Sequence, residues 1–144
     1  MLRSFAKQLA LNYVRNYTSN RLGIIQIMNS IVKLPDINTV VPITDNLDGW
    51  TIRGGNPKMK TWILNTSADG SMISGYWEAT PGTYYAVYSE YEFVHVLEGE
   101  VLITPDGCDS VRLVAGDTFV VEADFKGTWE IIQTVRKYFD IKLK

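Results

Sequence analysis

Glu92, Tyr88 and Lys137 are the residues of this chain best placed by type and spacing to do chemistry. Glu92 opens the run EFVHVLEG, and strand side chains alternate, so Glu92, Val94 and Val96 share one face while Phe93, His95 and Leu97 take the other. Near the end of the chain, Val135, Lys137, Phe139, Ile141 and Leu143 alternate against Arg136, Tyr138, Asp140 and Lys142. The apolar set is the inward one, and Lys137 is its single charged member, a position a lysine rarely takes without a partner. An ionised carboxylate among apolar walls must find a cation, a phenol or a proton. The pattern predicts a Glu92–Lys137 interaction, or a network shared with Tyr88, with Glu92 as acid or base and Lys137 or Tyr88 setting its pKa. The competing reading is that Lys137 snorkels to a rim while Glu92 makes a structural contact with a tyrosine.

A transition-metal centre needs several imidazoles or thiolates converging within bonding distance. The chain has one histidine and one cysteine, and His95 lies on the face opposite Glu92. No cofactor is expected; the alternative is a weak, hydrated divalent-metal site built on Glu92, Tyr88 and other oxygens. Cys108 sits alone in the polar turn PDGCDS, so no disulfide can form within the chain. Acidic neighbours and the lack of a nearby base make it an exposed, weakly reactive thiol rather than a nucleophile.

The elements that must position these groups are short strands. From Pro35 onward, runs rich in Val, Ile, Thr and aromatics are cut by the turn signals DNLDG, RGGNP, SADGS, TPG, EGE, PDGCD, AGD and ADFKG. Nine strands are predicted: 60–65, 72–79, 84–88, 92–97, 101–104, 111–114, 118–122, 128–134 and 136–143. That count, in 144 residues of which 46% are hydrophobic, points to one all-β domain, a jelly-roll barrel with a real core. Parity then nominates cavity walls: Gly75 with Trp77; Tyr84, Ala86 and Tyr88; Gly127, Trp129, Ile131 and Gln133. Trp77, Tyr84, Ala86, Trp129 and Gln133 are the candidate ligand-binding residues, the aromatics also being natural core fillers. Gly82, Gly99 and Gly116 read as turn glycines at positive φ.

The first 35 residues are different material. They hold five basic residues and no acid, whereas residues 36–144 hold nine basic and sixteen acidic ones. An acidic body argues against nucleic acid as a partner, because phosphate neutralisation needs clustered Lys and Arg. Leu2, Phe5, Ala6, Leu9, Ala10, Tyr13, Val14 and Tyr17 recur at three- and four-residue steps, with Arg3, Lys7, Asn12 and Arg15 on the other faces. This predicts an amphipathic basic helix, which packs on its own domain, lies on an anionic membrane, or acts as an organellar address within residues 1–25. A further alternative is an upstream extension before a natural start at Met28. The run GIIQIMNSIV is too short and too interrupted to span a membrane and reads as a short buried segment. The division is thus a helical extension over 1–35 and a β-domain over 36–144, with the cytoplasm as the expected location.

The blocks GYWEATPG (75–82), EFVHVLEGEVLIT (92–104), LVAGDTFVVEADFKGTWEI (113–131) and VRKYF (135–139) together resemble the cupin family. The likeness covers roughly 48–143 and is closest to the single-domain group related to the cupin domain of ureidoglycine aminohydrolase. It implies a cupin-type double-stranded β-helix with an N-terminal helical extension outside it. The family's first motif carries His-x-His before a glutamate that precedes a glycine by seven positions; Glu92 and Gly99 match, while Ala86 and Tyr88 stand where the histidines belong. In the second motif Gly116 matches, while Glu122, Asp124 and Gly127 replace proline, glycine and histidine. Of the four usual metal ligands, only Glu92 remains.

Three functions follow. The first is a small-molecule-binding cupin, with metal-independent catalysis at Glu92 as its enzymatic form. The second is a metal-dependent hydrolase like the ureidoglycine enzyme. The third is a non-enzymatic dimeric module, since the face bearing Phe93, His95 and Leu97 is too apolar for water and a homodimer would cover it.

Overall fold

The computed structural model describes residues 30–143; the predicted N-terminal helix and most of GIIQIMNSIV lie outside them. Ser30, Ile31 and Val32, the described end of that run, are exposed, Ile31 at 81% and Val32 at 61%, so this end of it is not part of a buried segment. After a single 3-10 turn at Ile37–Thr39 the chain is entirely strand and turn. Eight antiparallel strands follow: β1 Trp50–Gly54, β2 Met59–Thr66, β3 Met72–Ala79, β4 Gly82–Val87, β5 Tyr91–Pro105, β6 Val111–Val114, β7 Thr118–Val121 and β8 Lys126–Lys142.

The difference from nine predicted strands has two physical sources. β5 and β8 each fuse two predicted strands, because Glu98–Glu100 and Gln133–Thr134 bend without ending the ladder; the register between them shifts there. Gly99 makes the bend possible. It holds φ +87°, and a Cβ on it would meet the Thr134 carbonyl oxygen at 2.1 Å. In addition, β1 forms from WTIRG, five residues wedged between turn signals, too short to show a period.

The bends let the two long strands serve both halves of a rolled sheet. One half reads β2, β3, the C-terminal part of β8, the N-terminal part of β5, then β7. The other reads β1, β4, the N-terminal part of β8, the C-terminal part of β5, then β6. The product is the all-β jelly-roll architecture that the sequence predicts. Its core is strongly aromatic: Trp50 and Trp129 from the second half meet Trp77 from the first, with ring centroids 5.1–6.1 Å apart for the Trp50–Trp77, Trp50–Trp129 and Trp77–Trp129 pairs, and Tyr84 meets Trp50 at 5.6 Å. The family-pattern glycine position occupied by Asp124 keeps a left-handed backbone, φ +66°.

Candidate active and binding site

Glu92 and Val94 lie on the inward face of β5, with 2% and no exposure respectively, while Phe93 is 42% exposed on the other side. Lys137 lies on the inward face of β8, 3% exposed, between Val135 and Phe139. The two register positions are offset along the sheet, Val96 standing opposite Lys137 and Ile141 opposite Glu92. The long lysine side chain spans that offset, and its ammonium donates a hydrogen bond to Glu92 Oε1.

Aromatic rings enclose the pair. The Lys137 Nζ stands 4.8 Å from the Trp77 ring centre, 4.7 Å from that of Trp129 and 6.0 Å from that of Phe139. Trp77 sits directly opposite Lys137 in the β3–β8 ladder, which is why strand pairing delivers its ring to the ammonium. Such contacts strengthen when they are desolvated, and both indoles are almost wholly buried. Burial still dominates the titration of Lys137, pulling its pKa below the usual amine value against the raising effect of Glu92. Tyr88, just beyond β4, stacks on Trp129 at 6.2 Å with an interplanar angle of 9°. Burial first, then the charge of Glu92 and a hydrogen bond to it, hold the Tyr88 phenol well above its ordinary pKa.

The enclosure is rich in unspent donors. The indole nitrogens of Trp77 and Trp129 and the hydroxyl of Thr61 are buried without a hydrogen-bond partner among the described residues. Thr61 stands opposite Trp77 on β2. Buried donors left in this state are uncommon and call for an acceptor, whether water or a ligand atom. A crevice of about 10 Å³, about the space for one water, opens beside Tyr88 between Trp50, Val87, Glu90 and Ile141. Glu90, only 3% exposed, accepts from the Ser89 hydroxyl at 2.6 Å.

Of the residues nominated from parity, Trp77, Tyr84, Ala86, Tyr88, Glu92, Trp129 and Lys137 all face the interior. Gln133 does not. It is exposed, because β8 crosses from one half of the sheet to the other at Gln133–Thr134 and the alternation no longer reports the core there. Two contributors escaped sequence analysis. Trp50 contacts Trp77, Tyr84, Tyr88 and Trp129, yet its strand was too short to be read. Glu90 lies in a turn and only tertiary packing buries it; the acidic pair at 90 and 92 was its one visible signal.

The EutQ-like cupin domain model matches residues 66–139, half of the chain. This chain belongs to the EutQ-like cupin family. Solved structures agree on the fold. A EutQ protein from Clostridium difficile superposes with a TM-score of 0.56 at 18% identity, over 61% of this chain and 70% of that one. An ethanolamine utilization protein Q from Salmonella typhimurium gives 0.53 at 20% identity, over 72% and 97%. A predicted oxalate decarboxylase from Thermotoga maritima gives 0.59 at 17% identity, over 76% and 97%. At these identities the likeness is one of fold. No curated protein matches the chain.

Cupins characteristically carry a metal, and the residues of this cupin do not fit one. Ala86 and Gly127, two of the positions where the motif has histidine, stand opposite each other in the β4–β8 ladder and bring no donor side chain. The surviving carboxylate is engaged by the Lys137 ammonium, so the cation that it faces is part of the chain itself. Among the described residues no three His, Cys, Asp or Glu side chains gather as a metal would require.

Proposed function

We propose that this cupin binds a small molecule at the Glu92–Lys137–Tyr88 centre without a metal, with Glu92 available as the acid or base of any reaction there. The observation that carries the reading is the buried Glu92–Lys137 pair set among aromatic rings whose own indole donors lack acceptors. An ion pair of this kind costs much desolvation and adds little stability over an apolar filling, which makes a polar task the better account of its presence. The route we infer for a ligand is the crevice beside Tyr88, and because it holds about 10 Å³, Trp50 and Tyr88 must move to admit anything larger than water.

That small volume also supports a second reading, in which the pair is architectural and the protein is a non-enzymatic module. Native mass spectrometry of the purified full chain separates the two. A co-purified small molecule retained by the parent and lost from a folded Glu92→Gln variant is the expected result. Retention of the same molecule by Glu92→Gln moves binding away from this centre. Metal analysis of the same samples is expected to show far less than one equivalent. Stoichiometric metal that is lost from Glu92→Gln would instead support a metal-dependent hydrolase of the ureidoglycine aminohydrolase kind.

A further inference from the structure

The outward side of the β2–β3–β8–β5–β7 half carries a continuous row across five strands: Trp62, Tyr76, Tyr138, His95 and Thr118, each register-paired with the next. Trp62 meets Tyr76 edge to face at 5.2 Å, and Tyr76 meets Tyr138 at 5.3 Å. The neighbouring row adds Phe93 and Val120, which are paired with each other and 42% and 43% exposed; Tyr138 is 43% exposed. A groove of about 160 Å³ runs beside Phe93, His95 and Tyr138, with Asp140 on its wall. A contiguous aromatic face of this kind is what soluble proteins keep covered.

Leu34 lines the same groove, so the chain enters the described domain on this face. The residues before it include the acid-free stripe Leu2, Phe5, Ala6, Leu9, Ala10, Tyr13, Val14 and Tyr17. We propose that residues 2–17 dock as an amphipathic helix on the Phe93–Val120–Tyr138 face of their own chain. Sixteen helical residues extend roughly 24 Å, and five strands span roughly 19 Å from first to last, so one such helix crosses the whole sheet. The sixteen residues between Tyr17 and Leu34 are far more than the connection needs. The face itself is mixed in charge, with Arg136 pairing Glu78 and Glu98 and Asp140 on the groove wall, so the fit rests on the apolar stripe and on where the chain enters. This inference stands on the outer face alone and is independent of what the interior binds.

The test is a photo-crosslinking benzoylphenylalanine in place of Tyr138 in the full chain, with products mapped by mass spectrometry at low and high protein concentration. The expected product is a single-chain adduct to a peptide within residues 1–29, its yield independent of concentration and reduced several-fold by Leu9→Glu. Adducts that join two chains assign the face to a second copy and overturn the proposal, as does the absence of any adduct. A parallel measurement with anionic phosphatidylserine vesicles distinguishes a membrane role: co-sedimentation that abolishes the single-chain adduct shows that the stripe prefers lipid, while an adduct undiminished by vesicles supports docking in cis.

Discussion

Arg136 and Lys137 are neighbours on β8 that point to opposite sides of one sheet, and both are paired with glutamate. Arg136 reaches Glu78 and Glu98 on the outer side at 2.7 Å each, with 39% of its side chain exposed. Lys137 reaches Glu92 on the inner side with almost none exposed. In water the outer pairs are screened and worth little. Within the aromatic core the inner pair has no such screening, and each member is tolerable only because the other is there. The same strand therefore holds one ion pair that can lose a single partner cheaply and one that cannot.

Single removal of an inner partner is the severest way to probe that contrast. Lys137→Met is expected to lower the free energy of unfolding by roughly 3–5 kcal/mol, because it leaves Glu92 charged and unpaired. Adding Glu92→Leu to it should recover much of the loss, and urea unfolding of the two singles and the double gives the coupling. A single-variant cost below about 1 kcal/mol would show that the pair is open to water.

Alkaline pH gives a middle-sized effect. Burial raises the Tyr84 phenol to about 12, and burial together with the charge of Glu92 also raises Tyr88. A phenol whose pKa is raised on folding contributes stability that is complete below pH 10, its unfolded value, and lost as pH climbs through the folded value. The lowered pKa of Lys137 acts in the opposite sense, but only up to 10.5, its unfolded value. Stability should thus fall from about pH 10.5 to 12, with Tyr84 supplying on the order of 2 kcal/mol of it. Chemical unfolding measured across that window should be visibly flatter for Tyr84→Phe; an unchanged slope would show that Tyr84 is not the group responsible.

Arg136→Ala should be the mildest change, within about 1 kcal/mol and smaller still in high salt. A cost comparable to that of Lys137→Met would erase the distinction between the two faces and indicate that the outer pairs are themselves covered.

How much of this was legible in the sequence depended on whether two-residue periodicity survived locally. Along Val135–Leu143 and Glu92–Leu97 it did, and a lone lysine and a lone glutamate on otherwise apolar faces announced themselves as partners. At Gln133 it failed, since β8 crosses there between the two halves of the sheet and parity no longer tells inside from outside. Trp50 was hidden because five residues between turns carry no readable period, although its ring touches four other aromatics of the core.

The sequence by itself determined the all-β class, the missing imidazoles and the inward parity of Glu92 and Lys137, because composition and alternation are properties of short segments. Tertiary structure alone decided that an ammonium from one strand lies against a carboxylate from another beneath two indole rings, and that Ala86 and Gly127 face each other where ligands would have stood. Those outcomes depend on strand register and on the bends in β5 and β8, which arise from contacts between residues far apart in the chain, and no local pattern encodes them.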